Sequence, residues 1–250
     1  MSRKWIGFAV FAVVMLSIPL VPGVPDYWVT LLDFVGVASL VSLGLVLLTG
    51  VGGMTSFGQA AFVGFGAYAT ALLTTSYGWS PWMALFASVA VTAFAALIIG
   101  LVTVRLSGHF LPLGTIAWGI SFYYLFGNLK IIGAYDGVQG VPPLNFFGTE
   151  LLSGRAFYPV VWVMVLAAIG LTLNLLDSRV GRAIRALRSG AAAAESVGIN
   201  IWTAKLAVFV YAAVLAGIAG WLYAHFQRAV TPGAFGLNGG IEYLLMAVVG

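Results

Sequence analysis

Cysteine is absent from all 250 residues, which excludes disulfides, cysteine-ligated zinc and thiol catalysis but says nothing about compartment. Charge is scarce as well. Asp, Glu, Lys and Arg make up 7% of the chain against 62% hydrophobic residues, where soluble domains carry roughly a quarter charged. A soluble helical protein would need polar helix faces that this composition cannot build. Histidine occurs as His109 and His225 only. Each stands alone without a partner at metal-ligand spacing, so hydrogen bonding near a helix end suits both better than a metal. No GxxxxGK[ST] phosphate loop, HExxH or GxSxG is present, which argues against ATP hydrolysis by this chain and against the two hydrolytic chemistries. The formal net charge of +4 invites nucleic acid as a partner, but the charges sit between apolar runs, as membrane-protein loop charges do.

What the chain has instead is long apolar runs, with a mean hydropathy of +1.06. They predict spans at Trp5–Val21, Val29–Thr49, Phe57–Thr75, Trp82–Val104, Phe110–Leu129, Phe157–Leu176 and Ala204–Phe226. An eighth begins near Ile241 and stops at Gly250, well short of the roughly 20 residues that cross a bilayer, so the chain reads as truncated at its C-terminus. The fold expected is an all-α, polytopic transmembrane helical bundle of about eight or more spans, a single domain over residues 1–250. Arg3 and Lys4 before the first run suit a signal peptide, but Pro19, Pro22 and Pro25 follow where a small-x-small cleavage site belongs, so the helix reads as retained. With the N-terminus cytoplasmic, Arg3, Lys4, Arg105, Arg179, Arg182, Arg185, Arg188 and Lys205 fall inside, and Lys130, Arg155 and Arg228 outside. That split obeys the positive-inside rule.

The stretch Gly58-Gln59-Ala60-Ala61-Phe62, running on through Gly64, Gly66 and Tyr68, follows a glycine break at Gly50, Gly52 and Gly53. Backbone broken at membrane depth must be buried in protein or line a watery cavity, so this reads as a helix start within a transport protein. Ala212, Ala216, Gly220 and Ala224 form a small-residue stripe, and Ala67 and Ala71 a shorter one; both suit helix packing. The outer segment 130–156 is rich in Gly and Pro, which argues for shaped turns, either as a solvated loop or as a docking surface for an external partner. In the inner segment 177–203, Asp177 or Ser178 can cap a helix bearing Arg179, Arg182, Arg185 and Arg188. Ser189-Gly190 offers a break, Ala191–Val197 an Ala-rich second helix, and Gly198 a left-handed stop. Lipid anchoring explains the charge alone; the break, the Ala-rich turns and Glu195 suit partner docking better.

These residues carry a resemblance. GMTSFGQAAFVGFGAYATALL resembles an early signature of the permease subunits of branched-chain amino acid ABC importers. VGRAIRALRSGAAAAESVGINIWTAKLAVFVYAAVLAGIAGWLYA is similar to their cytoplasmic coupling segment and following helix, and RLSGHFLPLGTIAWGI and DGVQGVPP resemble the LivM-type member of the permease pair. Ser189, Gly190 and Ala191 stand where relatives carry acidic residues, and Gly133-Ala134-Tyr135 where they often have Thr-Gly-Gly. The resemblance implies a multi-pass protein of the bacterial inner membrane, half of a translocation pore. It implies a second, LivH-type permease subunit, two cytoplasmic ATPase subunits and an external substrate-binding protein as partners. This chain would bind no cofactor, ATP and Mg being used by the ATPases. Arg182, Arg185, Arg188, Glu195 and Gly198 would couple to those subunits, and Asp136, Gly137 and Gln139 are candidates for external docking.

Candidates for the translocation pathway are the few polar groups in or at the ends of spans: Ser56, Gln59, Tyr68, Tyr123, Tyr124 and Asn128. Gln59 can donate and accept near a helix N-terminus that favours a carboxylate, or can bond the broken backbone beside it. Tyr123 and Tyr124 equally suit an interface belt. An ion-coupled secondary transporter would hold ionisable groups in mid-span, whereas Asp33 and Glu242 read as lying at span beginnings. A urea or short-chain amide importer on the same scaffold is the other alternative.

Overall fold

The computed structural model describes residues 3–21, 23–106, 110–146, 148–188, 198 and 200–249. His109, Glu195, the Ser189-Gly190 break and the Ala191–Val197 helix lie outside them, as does the side chain of Arg188. Among the described residues the chain forms nine α-helices: α1 (Arg3–Ser17), α2 (Asp26–Leu45), α3 (Gln59–Thr75), α4 (Pro81–Thr103), α5 (Phe110–Asn128), α6 (Gly154–Asp177), α7 (Arg179–Arg188), α8 (Ile201–Gln227) and α9 (Leu237–Val249). A π-helical turn, Val46–Val51, prolongs α2.

Among the described residues five helical segments are long and apolar enough to cross a membrane: 26–51, 81–103, 110–128, 154–177 and 201–227. The helices α1, α3 and α9 are shorter, with 15, 17 and 13 residues. A tally of eight spans therefore depends on those three. The expected boundaries shift at several ends because helices include polar caps that hydropathy discards. Pro25, extended at φ −62° and ψ 144°, starts α2 at Asp26 rather than Val29, as Pro and an acid beside a helix N-terminus favour. Ser153 accepts from the Ala156 amide and starts α6 at Gly154. Asn200 does the same for Thr203 and starts α8 at Ile201.

The core is built around α3, enclosed by α4, α5, α8 and the start of α9. Small residues permit this close approach. A Cβ on Gly66 would collide with the backbone of Gly217 and one on Gly220 with the carbonyl of Val63, while Gly44 lies against Ala212. The expected stripe of Ala212, Ala216, Gly220 and Ala224 is buried throughout, and it serves packing. Ser88 ties the crossing together, its hydroxyl lying 3.1 Å from the Gly66 carbonyl and 3.2 Å from that of Gly217. Aromatic edges fill the rest: Phe62 against Phe209, and Phe65 against Phe122 and Phe126. Outward-facing Phe86 and Phe94 on α4 are largely exposed, as suits contact with lipid or another apolar surface.

Contacts between loops define one end of the bundle. Arg155 binds the Asp26 carboxylate at 3.0 Å and the carbonyls of Pro19 and Val24 at 2.7 Å each. Trp221 donates to Pro81, and His225 Nδ1 lies 2.8 Å from the Pro142 carbonyl, which is the helix-end role expected of that histidine. Two short ribbons shape this loop end: β1 (Val138–Gln139) pairs with β4 (Ala229–Val230), and β2 (Asn145–Phe146) with β3 (Thr149–Glu150). At the other end α7 packs its buried Ile184 into the core cluster while Arg182 and Arg185 stay exposed.

Candidate functional site

Two joints that interrupt the α-helices pack against α3. The first, residues 52–58, is largely buried, and several of its amides are paired internally. The Gly52 amide reaches Leu47 O at 2.9 Å and the Met54 amide Leu48 O at 3.0 Å. Phe57 donates to Thr115 Oγ1 at 3.1 Å, from a residue inside α5. Paired this way, an irregular segment can exist away from water. Hydropathy does not single out Thr115, a polar side chain within an apolar run.

The second joint, residues 228–236, looks in the sequence like a simple connection between two spans. It leaves the loop end through β4, and Phe235 then inserts against Gly64 and Tyr68 of α3. Gly64 lies eleven residues before Thr75, about 16 Å along the helix, so this joint reaches deep into the bundle. The helix α9 starts from there, with Gly240 against the backbone of Phe57 and Gly239 against Ala60. Broken helices that meet inside the bundle are how several transporter folds place polar groups at mid-depth. The Pro232-Gly233 pair is a turn signal that identifies the position in retrospect.

The pathway candidates separate into two groups. Ser56, Gln59 and Tyr68 are all buried on α3 or its lead-in. Ser56 Oγ accepts from the Gly58 amide at 3.4 Å. Gln59 Nε2 and the Tyr68 hydroxyl have no hydrogen-bond partner among the described residues, so the amide nitrogen of Gln59 does not bond the broken backbone. Tyr123, Tyr124 and Asn128 lie in the last turns of α5; Tyr124 and Asn128 are exposed, and Asn128 Nδ2 caps the Tyr124 carbonyl at 2.7 Å. Of these three, Tyr123 approaches the second joint, 3.5 Å from where a Cβ on Gly236 would stand.

The two acids require a correction. Asp33 sits seven residues into α2, fully buried beside Thr30 and Gly154, with neither carboxyl oxygen hydrogen-bonded among the described residues. Glu242 faces the middle of α2 across a cavity. Neither acid is at the edge of a span, because α2 starts earlier than hydropathy suggests and α9 starts inside the bundle. Acid placement therefore does not count against ion coupling. A sealed carboxyl without a partner costs stability, so Asp33→Asn is expected to leave the unfolding temperature in detergent unchanged or higher. A clear drop would reveal an essential partner for the acid.

At the loop end Asp136 and Gln139 are exposed, and Gln139 Nε2 reaches the Asp136 carbonyl at 3.3 Å. Gly137 has a structural role, since at φ +70° its Cα faces the Val230 carbonyl, where a Cβ would collide. At the opposite end Ser178, rather than Asp177, caps α7 by accepting from the Gly181 amide at 3.2 Å. Arg182 Nη1 bonds the Asp177 carbonyl at 3.2 Å. Gly198 is left-handed at φ +77°; the helix it is expected to stop lies outside the described residues.

Comparison with known proteins adds what geometry leaves open. The high-affinity branched-chain amino acid transport system permease protein LivM of Salmonella typhimurium is 30% identical, over 84% of this chain and 55% of that protein. LivM of Escherichia coli is 29% identical with the same coverage. A Methanocaldococcus jannaschii protein named as a probable branched-chain amino acid transport permease, LivH, is 26% identical over 84% of this chain and 72% of its own length. The chain thus spans about half the length of the two LivM relatives. No solved structure matches it. Residues 27–250 match the family described as branched-chain amino acid transport system / permease component, and the chain belongs to that family.

Proposed function

We propose that this chain is the permease subunit of an ATP-driven importer for branched-chain or related hydrophobic amino acids. It forms half of the pore in the bacterial inner membrane, with a second permease as the other half and its N-terminus in the cytoplasm. Two ATPase subunits, using ATP and Mg, dock on the end carrying α7, and an external binding protein delivers substrate at the loop end. The observation that carries this reading is the family match over residues 27–250. The broken backbone around α3 and the exposed arginines of α7 support it. In this mechanism ATP closes the motor pair, the segment from Arg185 to Gly198 acts as a lever, and differential contacts in two states give alternating access.

The direct test is a gentle detergent pull-down of the full-length tagged protein from its native membrane, read by mass spectrometry. A second permease and ATPases are expected in the eluate. Recovery of the chain alone, even after crosslinking, would overturn the proposal. The lever makes a narrower prediction. Gly198→Val forces a β-branched residue into a φ that L side chains rarely adopt. Membrane insertion should be unchanged while substrate-stimulated ATPase falls; normal uptake by this variant would remove Gly198 from the coupling path.

A further inference from the structure

Between α2, α8, α9 and the second joint lies a cavity of about 580 Å³, within the size range of small-ligand sites. Its polar lining comes from three helices: Ser39 and Ser42 of α2, Tyr223 of α8, and Glu242 and Tyr243 of α9. Ser39 lies thirteen residues after Asp26, about 20 Å along a segment about 39 Å long. The cavity is therefore at mid-depth. Glu242 is exposed and makes no ion pair among the described residues. A carboxylate facing hydrocarbon at that depth is costly, and such groups face a watery cavity or a partner. The same helices also line it with apolar side chains, among them Phe34 of α2 and Met246 of α9.

A lone carboxylate, several hydroxyl groups and apolar side chains lining one cavity match one ligand chemistry well. The ammonium group of an α-amino acid meets the carboxylate, its own carboxylate meets hydroxyl donors, and an aliphatic side chain meets the apolar residues between them. The geometry points to this cavity as a transient substrate site, with Glu242 binding the ammonium of an aliphatic amino acid in transit. This rests on the importer reading and adds a location and a residue to it. Tyr223 and Tyr243 supply phenolic donors, and the serines line the path along α2. Neither Gln59 nor Tyr68 lines the cavity.

The test uses the complete importer with its binding protein in proteoliposomes, with labelled leucine as the probe. Losing one charge-assisted bond corresponds to about 1.5–3 kcal/mol, so Glu242→Gln should raise the half-saturating leucine concentration about 10- to 100-fold, and Glu242→Asp should restore part of it. Unchanged uptake by Glu242→Gln would overturn the site. Failure of the unsubstituted importer to take up leucine would instead overturn the importer reading. A second measurement does not depend on the Glu242 variants folding. Because the chain has no cysteine, Ser42→Cys introduces a unique thiol in it, and Phe86→Cys on the outer face of α4 is the control. A charged, water-soluble thiol reagent should modify Ser42→Cys, and leucine with binding protein should slow that reaction. Modification without protection would overturn the substrate site. No modification would show the cavity filled by lipid or by a protein partner, which also overturns it.

Discussion

Gly66→Val is expected to remove folded protein from the membrane. The added Cβ would fall on the Gly217 carbonyl and within 2.8 Å of its Cα. Those are backbone atoms of α8 at the crossing of the two most buried helices, and no rotamer can move them aside. Ordinary overpacking costs about 1–3 kcal/mol where side chains can yield; here the helix axes themselves would have to separate. Separation would also break the bridge from Ser88 to both carbonyls. In lipid, helix association relies on close packing and hydrogen bonds rather than on expulsion of water, so losing both at one point leaves little to hold α3. Size-exclusion profile and yield in mild detergent measure this. A monodisperse Gly66→Val protein at normal yield would show that the crossing is looser than described. Gly233→Ala, at a position with open space around it, is the matched control and should behave normally.

The second large effect belongs to the exposed face of α7. Arg182 and Arg185 are exposed while Ile184 anchors the helix in the core, so the charge at Arg185 can change without disturbing packing. Replacing Arg185 and Arg188 with Glu is expected to release the ATPase subunits during detergent purification, from stoichiometric to background amounts. The reversal turns attraction into repulsion at each site, and like-charge juxtaposition across an interface costs several kcal/mol. Lipid anchoring predicts a different result, since each basic residue is worth about 1 kcal/mol at an anionic surface. On that basis the pair would loosen α7 from the lipid surface slightly and leave any complex whole. Retained stoichiometric ATPase after the double change would therefore favour anchoring over docking.

The bundle is readable because membrane helices announce themselves by unbroken apolar runs, and α4 and α5 fall within a residue or so of their expected bounds. Helix starts are less readable. Gly154 and Ile201 follow the polar caps Ser153 and Asn200, and Asp26 follows Pro25 and is itself charged, so the apolar runs begin about three residues later than the helices do. The same offset misplaces Asp33, which is a buried acid instead of a boundary residue. The glycines before Gln59 expose the first joint. The second is hidden because Phe235 and the residues after Leu237 look like the start of another span, although Pro232 and Gly233 mark the turn. Of the pathway candidates, Ser56, Gln59 and Tyr68 lie in the core, but the cavity is lined by Ser39, Ser42, Tyr223, Glu242 and Tyr243. These come from three helices, and no spacing along the chain reveals that they meet.

The most direct measurement is ATP-dependent uptake of labelled leucine into proteoliposomes holding the co-purified complex and its binding protein. Uptake that requires ATP, competes with isoleucine and valine, and ignores urea and acetamide is the predicted result. Uptake driven by an ion gradient without ATP, or competition by amides alone, would contradict it.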